Sequence, residues 1–254
     1  MFSGSFYPEN QPELAGLLSQ YFQETKLMVD SPVKAVIVPH AGYIYSGLTA
    51  AWGFDQLRSQ KTEAGRQKEE NFVVIGPSHN FGFLKIFGNG FNFWETPLGR
   101  VKQYPPVGGK QTNDEYFIPE HSVEVQLPFL QYLFNDFSVS CFLTGDKIDL
   151  SRESRYFQEN YQNSVFIISS DLSHHLSQSQ ANSKDAETIS AIINGNADYF
   201  DRSENTACGE NGIRLVMQLA KINKWKSKLV NYDTSAGKSG DAARVVGYAS
   251  IVYY

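Results

Sequence analysis

The chain has 254 residues, 41% apolar and 14% aromatic, with 19% charged and a formal net charge of -5. This is the composition of an ordered globular protein, and the length fits one domain spanning 1–254. The acidic balance without a basic patch argues against a nucleic-acid partner. The absence of an ~18-residue apolar run, or of a basic-then-apolar leader, argues against a membrane partner and for a soluble cytoplasmic protein.

In chain order, Tyr7-Pro8-Glu9-Asn10 reads as a turn, and Leu14, Leu17, Leu18, Tyr21 and Phe22 recur at helical spacing, which predicts an amphipathic helix over 12–27. Ala35 to Val38 is a short buried strand. A helix beginning near Ser46 carries Leu48, Ala51, Trp52 and Leu57, and Phe72 to Ile75 repeats the strand. The densest charge cluster, Arg58 to Glu70, mixes both signs and reads as a solvated loop or helix end. Residues 81–118, rich in Gly, Pro and aromatics, alternate in short pieces and predict short strands in a long excursion over the sheet. From Ser122 to Phe134 a helix is expected, with Pro128 kinking or starting it. Further strands are predicted over 137–143 and 165–168, helices over 180–193 and 209–222, and closing strands over 228–232 and 244–253. Strands alternating with helices imply a three-layer α/β/α sandwich around a mixed, largely parallel sheet.

Chemistry concentrates at the histidines. His40 and His79 each follow a β-branched run that ends in Pro or Gly, and ligands bind in the crevice at the carboxyl ends of such strands. Two imidazoles delivered there point to a shared metal site. Ser169-Ser170-Asp171-Leu172-Ser173-His174-His175 follows a third strand, and an Asp three residues before a His suits a general base or an orienting pair, which favours His174 over His175. Glu120 and His121 open a helix and are candidate cavity walls, with Glu124 placed to complete a capping interaction. Tyr43, Tyr45, Phe81 and Trp94 are candidate lining aromatics or core. Two cysteines make no disulfide framework. Cys141, in an alternating apolar stretch, reads as a core residue. Cys208 sits before a predicted helix, where the macrodipole favours thiolate, although a buried structural cysteine leaves the same trace.

Taken together, these motifs resemble the Memo family, whose bacterial and archaeal members are often called AmmeMemoRadiSam system protein B. The matching residues are G-S-F-Y-P at 4–8, P-H-A-G-Y-x-Y-S-G at 39–47, G-P-S-H-N at 76–80, E-H-S-V-E-V-Q-L-P-F-L at 120–130, S-S-D-L-S-H at 169–174, A-C-G at 207–209 and V-V-G-Y-A-S at 245–250. They run from end to end of the chain. The resemblance implies a fold like that of the class III extradiol ring-cleaving dioxygenases, with a metal pocket at one end of a mixed sheet. Those enzymes hold Fe(II) on two His and a carboxylate. In Memo proteins a cysteine takes the carboxylate's place, which implies His40, His79 and Cys208 as metal ligands. It also implies His174, beside Asp171, as acid/base, while Glu120, His121 and Tyr43 stand as candidate pocket walls or supports of the ligands from the residue reading alone.

The function expected from this reading is a non-haem oxidoreductase that uses Fe(II), or else Cu, on a small molecule. The alternatives are a binding or scaffold protein that takes a peptide or partner in the same pocket, and a hydrolase using Zn with His174 or Glu120 as base. The family resemblance also implies a functional link to a radical SAM protein.

Overall fold

The computed structural model describes residues 2–60 and 70–254, so most of the charged segment 58–70 lies outside the described residues. Its strands are β1 (Ala35–Val38), β2 (Glu70–Pro77), β3 (Ile86–Gly88), β4 (Phe93–Thr96), β5 (Gly99–Gln103), β6 (Phe137–Thr144), β7 (Val165–Ser169), β8 (His174–Leu176), β9 (Ser227–Thr234) and β10 (Val245–Tyr253). The helices are α1 (Gln11–Gln23), α2 (Tyr43–Asp55), α3 (His121–Glu124), α4 (Leu127–Leu133), α5 (Leu150–Asn160), α6 (Gln178–Ile193), α7 (Asp198–Arg202), α8 (Glu210–Asn223) and α9 (Ala236–Ser239). Among the described residues the strands form one 10-stranded sheet in the order β4-β5-β6-β2-β7-β1-β10-β8, with β3 beside β6 and β9 beside β10. Pairings from β5 through β6, β2 and β7 to β1 are parallel. The flanking strands β3, β4, β8, β9 and β10 pair antiparallel.

Strand geometry divides the interior in two. Val36 and Val38 on β1 and Phe72 and Val74 on β2 face a core built with Leu14, Leu18, Phe54 and Phe129 from α1, α2 and α4. Ala35, Ile37, Val73 and Ile75, one residue out of phase, face a second core with Phe157, Ile189, Ile213 and Val216 from α5, α6 and α8. Successive side chains in a strand point to opposite faces, so the unbroken apolar runs of β1 and β2 supply both cores at once.

Several boundaries differ from the sequence-based expectations. The first helix stops at Gln23 rather than running to Leu27, because the chain turns there: Thr25 Oγ1 donates to the Phe22 carbonyl, and Gln56 Nε2 donates to the Lys26 carbonyl. The second helix starts at Tyr43, three residues before Ser46, where Gly42 ends the extended segment. The single helix expected over 122–134 is two, α3 and α4, with Pro128 in the first turn of the second, where its missing N–H costs nothing. Helix α5 was not anticipated, since Leu150, Tyr156 and Phe157 give a polar segment too few apolar repeats. It buries Phe157 completely.

Phe129 stacks flat on Phe54 at 4.9 Å between centroids and leans on Tyr43 at 4.8 Å, at the centre of the first core. Phe129→Ala is expected to lower unfolding free energy by about 3–5 kcal/mol. Urea denaturation followed by circular dichroism checks this, and a loss below about 1 kcal/mol would show that the stacked pair is not a core contact.

Candidate metal centre

Three adjacent strand ends deliver the site. In the order β2-β7-β1, the parallel strands release Ser78-His79, Ser170-Asp171 and Pro39-His40 at the same edge of the sheet. Cys208 arrives from the segment before α8. A side chain on Gly209 would put its Cβ 2.6 Å from the Ser169 carbonyl oxygen and 2.7 Å from the Ser170 Cβ, so only glycine lets this segment lie on the end of β7. One donor atom each from His40, His79 and Cys208 then lies within 4.8 Å of the others.

Hydrogen bonding fixes which nitrogen His40 offers. Ser169 Oγ lies 2.5 Å from the Ser122 carbonyl oxygen, to which it gives its single proton. It must therefore accept from its other two neighbours, Gln126 Nε2 at 2.8 Å and His40 Nδ1 at 2.9 Å. The Nδ1 of His40 carries the proton, and the Nε2 lone pair is left facing Cys208 Sγ at 3.2 Å. Burial, with the neighbouring charge of His79, pushes the His40 pKa down to about 3, so the ring is neutral and ready to ligate. The backbone N–H of His40 is held by Asp171 Oδ1 at 2.8 Å.

His79 is fixed by a charge rather than a hydroxyl. The carboxylate of Glu120, whose side chain has no exposed surface, accepts from the His79 backbone N–H at 2.6 Å and meets His79 Nδ1 at 3.0 Å. An ionised carboxylate only accepts, so Nδ1 is the protonated nitrogen and Nε2 is again the free one. Burial alone would raise the Glu120 pKa; the hydrogen bonds from His79 and Ser122 and the charge of His79 overcome it and hold the acid at about 2. Burial likewise opposes charge on His79, yet Glu120 outweighs it and the pKa is raised. His121 Nδ1 lies 3.4 Å from the same Glu120 oxygen, and its ring is sandwiched by Phe6 at 4.2 Å and His79 at 4.9 Å. His79, Glu120 and His121 form a second candidate metal-holding group.

The structure places the remaining expected residues as follows. Asp171 is buried and splits its carboxylate: Oδ1 takes the backbone N–H groups of His40 and Ala41, while Oδ2 lies 4.0 Å from His174 Nε2, beyond hydrogen-bond length. His174 is partly exposed beside the site and His175 faces solvent. Tyr43 is buried, its hydroxyl on the Val125 carbonyl and its ring between Tyr7 and Phe129. Trp94 is in the core, donating to Gln103, whereas Tyr45 and Phe81 are exposed.

A match to the family model described as Memo-like protein covers residues 1–252. The chain belongs to the Memo-like protein family. It is 34% identical over 270 residues to a MEMO1 family protein of Thermoplasma volcanium and 35% identical over 267 residues to one of Thermoplasma acidophilum, each covering 98% of this chain and 96% of the relative. A MEMO1 family protein of Archaeoglobus fulgidus is 33% identical over 267 residues, covering 99% of this chain and 97% of the relative.

Two expectations about this Memo-family site are corrected by the geometry. The cap of α3 is Glu120, which accepts from Ser122 N–H, and not Glu124, which instead holds the Phe2 backbone N–H and the Tyr7 hydroxyl from the N-terminal turn. Cys208 in the metal-free protein is a thiol: burial, followed by the charge of Asp171, raises its pKa, and these outweigh the helix N-terminus and the hydrogen bonds from Asp171 N–H and Ser170. Ser169, Gln126 and Phe6 were not singled out from sequence as supports. The S-S-D and G-S-F-Y-P runs are visible there, but nothing in a sequence says that Ser169 touches His40 or that Phe6 stacks on His121.

His40 and His121, lowered to about 3 and about 4 chiefly by burial, bind protons less readily folded than unfolded. Between about pH 4 and 6.5 the unfolded chain therefore holds more protons, and these two residues make stability fall as pH is lowered through that window. His79, raised, has the opposite sign: its contribution is present below its ordinary value and lost as pH rises through the raised one. In chelator-treated protein, His121→Phe should remove about one proton's worth of the pH dependence of unfolding free energy between about pH 4.5 and 6.5. Urea midpoints across that range test this, and parallel curves for the two proteins would overturn the assignment.

Proposed function

We propose that this Memo-family chain is a metal-dependent oxidoreductase that holds Fe(II) on His40, His79 and Cys208 and acts on a small molecule at the open side of that centre. The observation that carries the reading is the convergence of two imidazoles and a thiol whose free donor atoms are set by fixed partners. Ser169 orients His40 and Glu120 orients His79, the arrangement in which second partners fix tautomer and raise ligand basicity. Two imidazoles and a thiolate suit iron, copper or zinc. Iron is favoured by the sheet, whose parallel centre and two helical cores suit the three-layer sandwich of the class III extradiol dioxygenases, to which the Memo family motifs imply a resemblance in fold. Iron held by these residues would supply a redox centre.

The chain's own residues have separable roles in this proposal. His174 carries a proton at Nε2 to or from the substrate, with an Asp171 carboxylate oxygen 4.0 Å away. Asp171 also ties the His40 backbone to the end of β7, so ligand and proton carrier share one anchor. The stacked Phe6 and His121 rings close one wall against water.

Protein prepared anaerobically without a metal-binding tag should contain about one equivalent of iron, falling sharply in Cys208→Ser. Glu120→Gln, which keeps the shape but loses the charge on His79, should weaken metal affinity about 10–100-fold. His174→Ala should keep its metal. Elemental analysis of the four proteins decides: equal metal in wild type and Cys208→Ser overturns the centre, and zinc in place of iron moves the chemistry to hydrolysis.

A further inference from the structure

Among the described residues, three non-glycine residues have a left-handed backbone: His175 (φ 62°), Asn205 (φ 51°) and Lys224 (φ 59°). Lys224 closes α8, an ordinary place for that conformation. The other two both adjoin His174, His175 along the chain and Asn205 through hydrogen bonds. In the β8–β10 pairing, Leu176 lies opposite Val245 and His174 opposite Val246, so His175 is the extra residue of a bulge. Bulges bend a strand locally and re-aim the neighbouring side chain. On the far side of His174, the Asn205 side chain accepts from the His174 backbone N–H at 3.0 Å and donates to the His174 carbonyl at 2.8 Å. One amide thus occupies both backbone groups of His174, as a further strand would.

The Asn205 segment is also the one that carries Cys208. At its other end, Cys208 N–H donates to the Asp171 carbonyl and Asp171 N–H donates to Cys208 Sγ, both at 3.2 Å. The runs 171–174 and 205–208 are therefore fastened to each other at both ends. Costly backbone conformations persist where the surroundings over-determine them, and they gather at functional sites. Here two of them bracket one histidine.

We propose that Asn205 is a positioning residue for His174, acting against the His175 bulge, and that it couples the placement of the His174 imidazole to the ligation state of Cys208. The inference rests on the metal-centre reading for its second half only. A purely local role is distinguishable, because Asn is also a residue that tolerates the left-handed region. Asn205→Gly keeps that backbone and deletes the amide. Asn205→Asp keeps the acceptor for the His174 N–H and loses the donor to its carbonyl. Asn205 is exposed, so both variants should fold.

The test is proton–nitrogen correlation spectroscopy of the histidine rings in the full chain, metal-free and after one equivalent of Zn(II). In wild type, Zn(II) should shift the His174 ring signals although His174 is not a ligand. Asn205→Gly should still take up Zn(II), but its His174 signals should move toward those of a solvated histidine and lose the zinc-induced shift, with Asn205→Asp intermediate. His174 signals in Asn205→Gly that coincide with wild type, with and without zinc, would overturn the proposal. If wild type takes up no Zn(II), the coupling falls with the metal centre, and the metal-free spectra still decide the clamp: coincident His174 signals sink it, displaced ones sustain it.

Discussion

Ser169 has one hydroxyl proton and three partners, and the site depends on how that proton is spent. Because it is donated to the Ser122 carbonyl, the Ser169 oxygen accepts hydrogen bonds from Gln126 and from His40, and His40 is left with a bare Nε2 directed at Cys208. The arrangement needs all four elements in register. Ser169 ends β7, His40 follows β1, Ser122 belongs to α3 and Gln126 lies between α3 and α4. Ser122 itself reaches β2, donating to the Pro77 carbonyl, and it fits only because Gly76 has no side chain: a Cβ there would lie 2.3 Å from Ser122 Oγ.

The second constraint is electrostatic. Glu120 is an anion at neutral pH inside the protein, and such a charge is tolerated only with several donors. It has the His79 backbone, the His79 ring and the Ser122 backbone. That set lets one carboxylate hold His79 in the tautomer a cation can use while the adjacent His40 stays neutral by burial. The His40 ring and the Cys208 thiol are therefore uncharged in the metal-free protein, and an incoming cation would displace the Cys208 proton.

The sheet explains why these groups meet. Its parallel centre releases three neighbouring strands at one edge, and the antiparallel flanks add the pieces that a parallel sheet cannot place there. β10 sets β8 beside the edge, and with it His174; α8 is packed on β2 and β7 and presents Cys208. Among the described residues no helix is long and apolar enough to cross a membrane, and the buried apolar side chains gather in two cores, one on each face of the sheet.

From the sequence alone, the alternation of buried strands and helices, the two strand-terminal histidines and the family motifs were legible, because burial on both faces leaves unbroken β-branched runs and strand ends are marked by Pro, Gly and polar residues. Pro128 dividing its helix was legible for the same local reason. The structure alone decided that Glu120 rather than Glu124 caps α3, that Cys208 is a partly buried thiol rather than a helix-activated thiolate, and that one oxygen of Asp171 is taken by the His40 backbone 131 residues away. Local rules govern which element a residue belongs to. Proton placement and pKa depend on which distant groups stand within about 3 Å, and only the packed chain sets that distance.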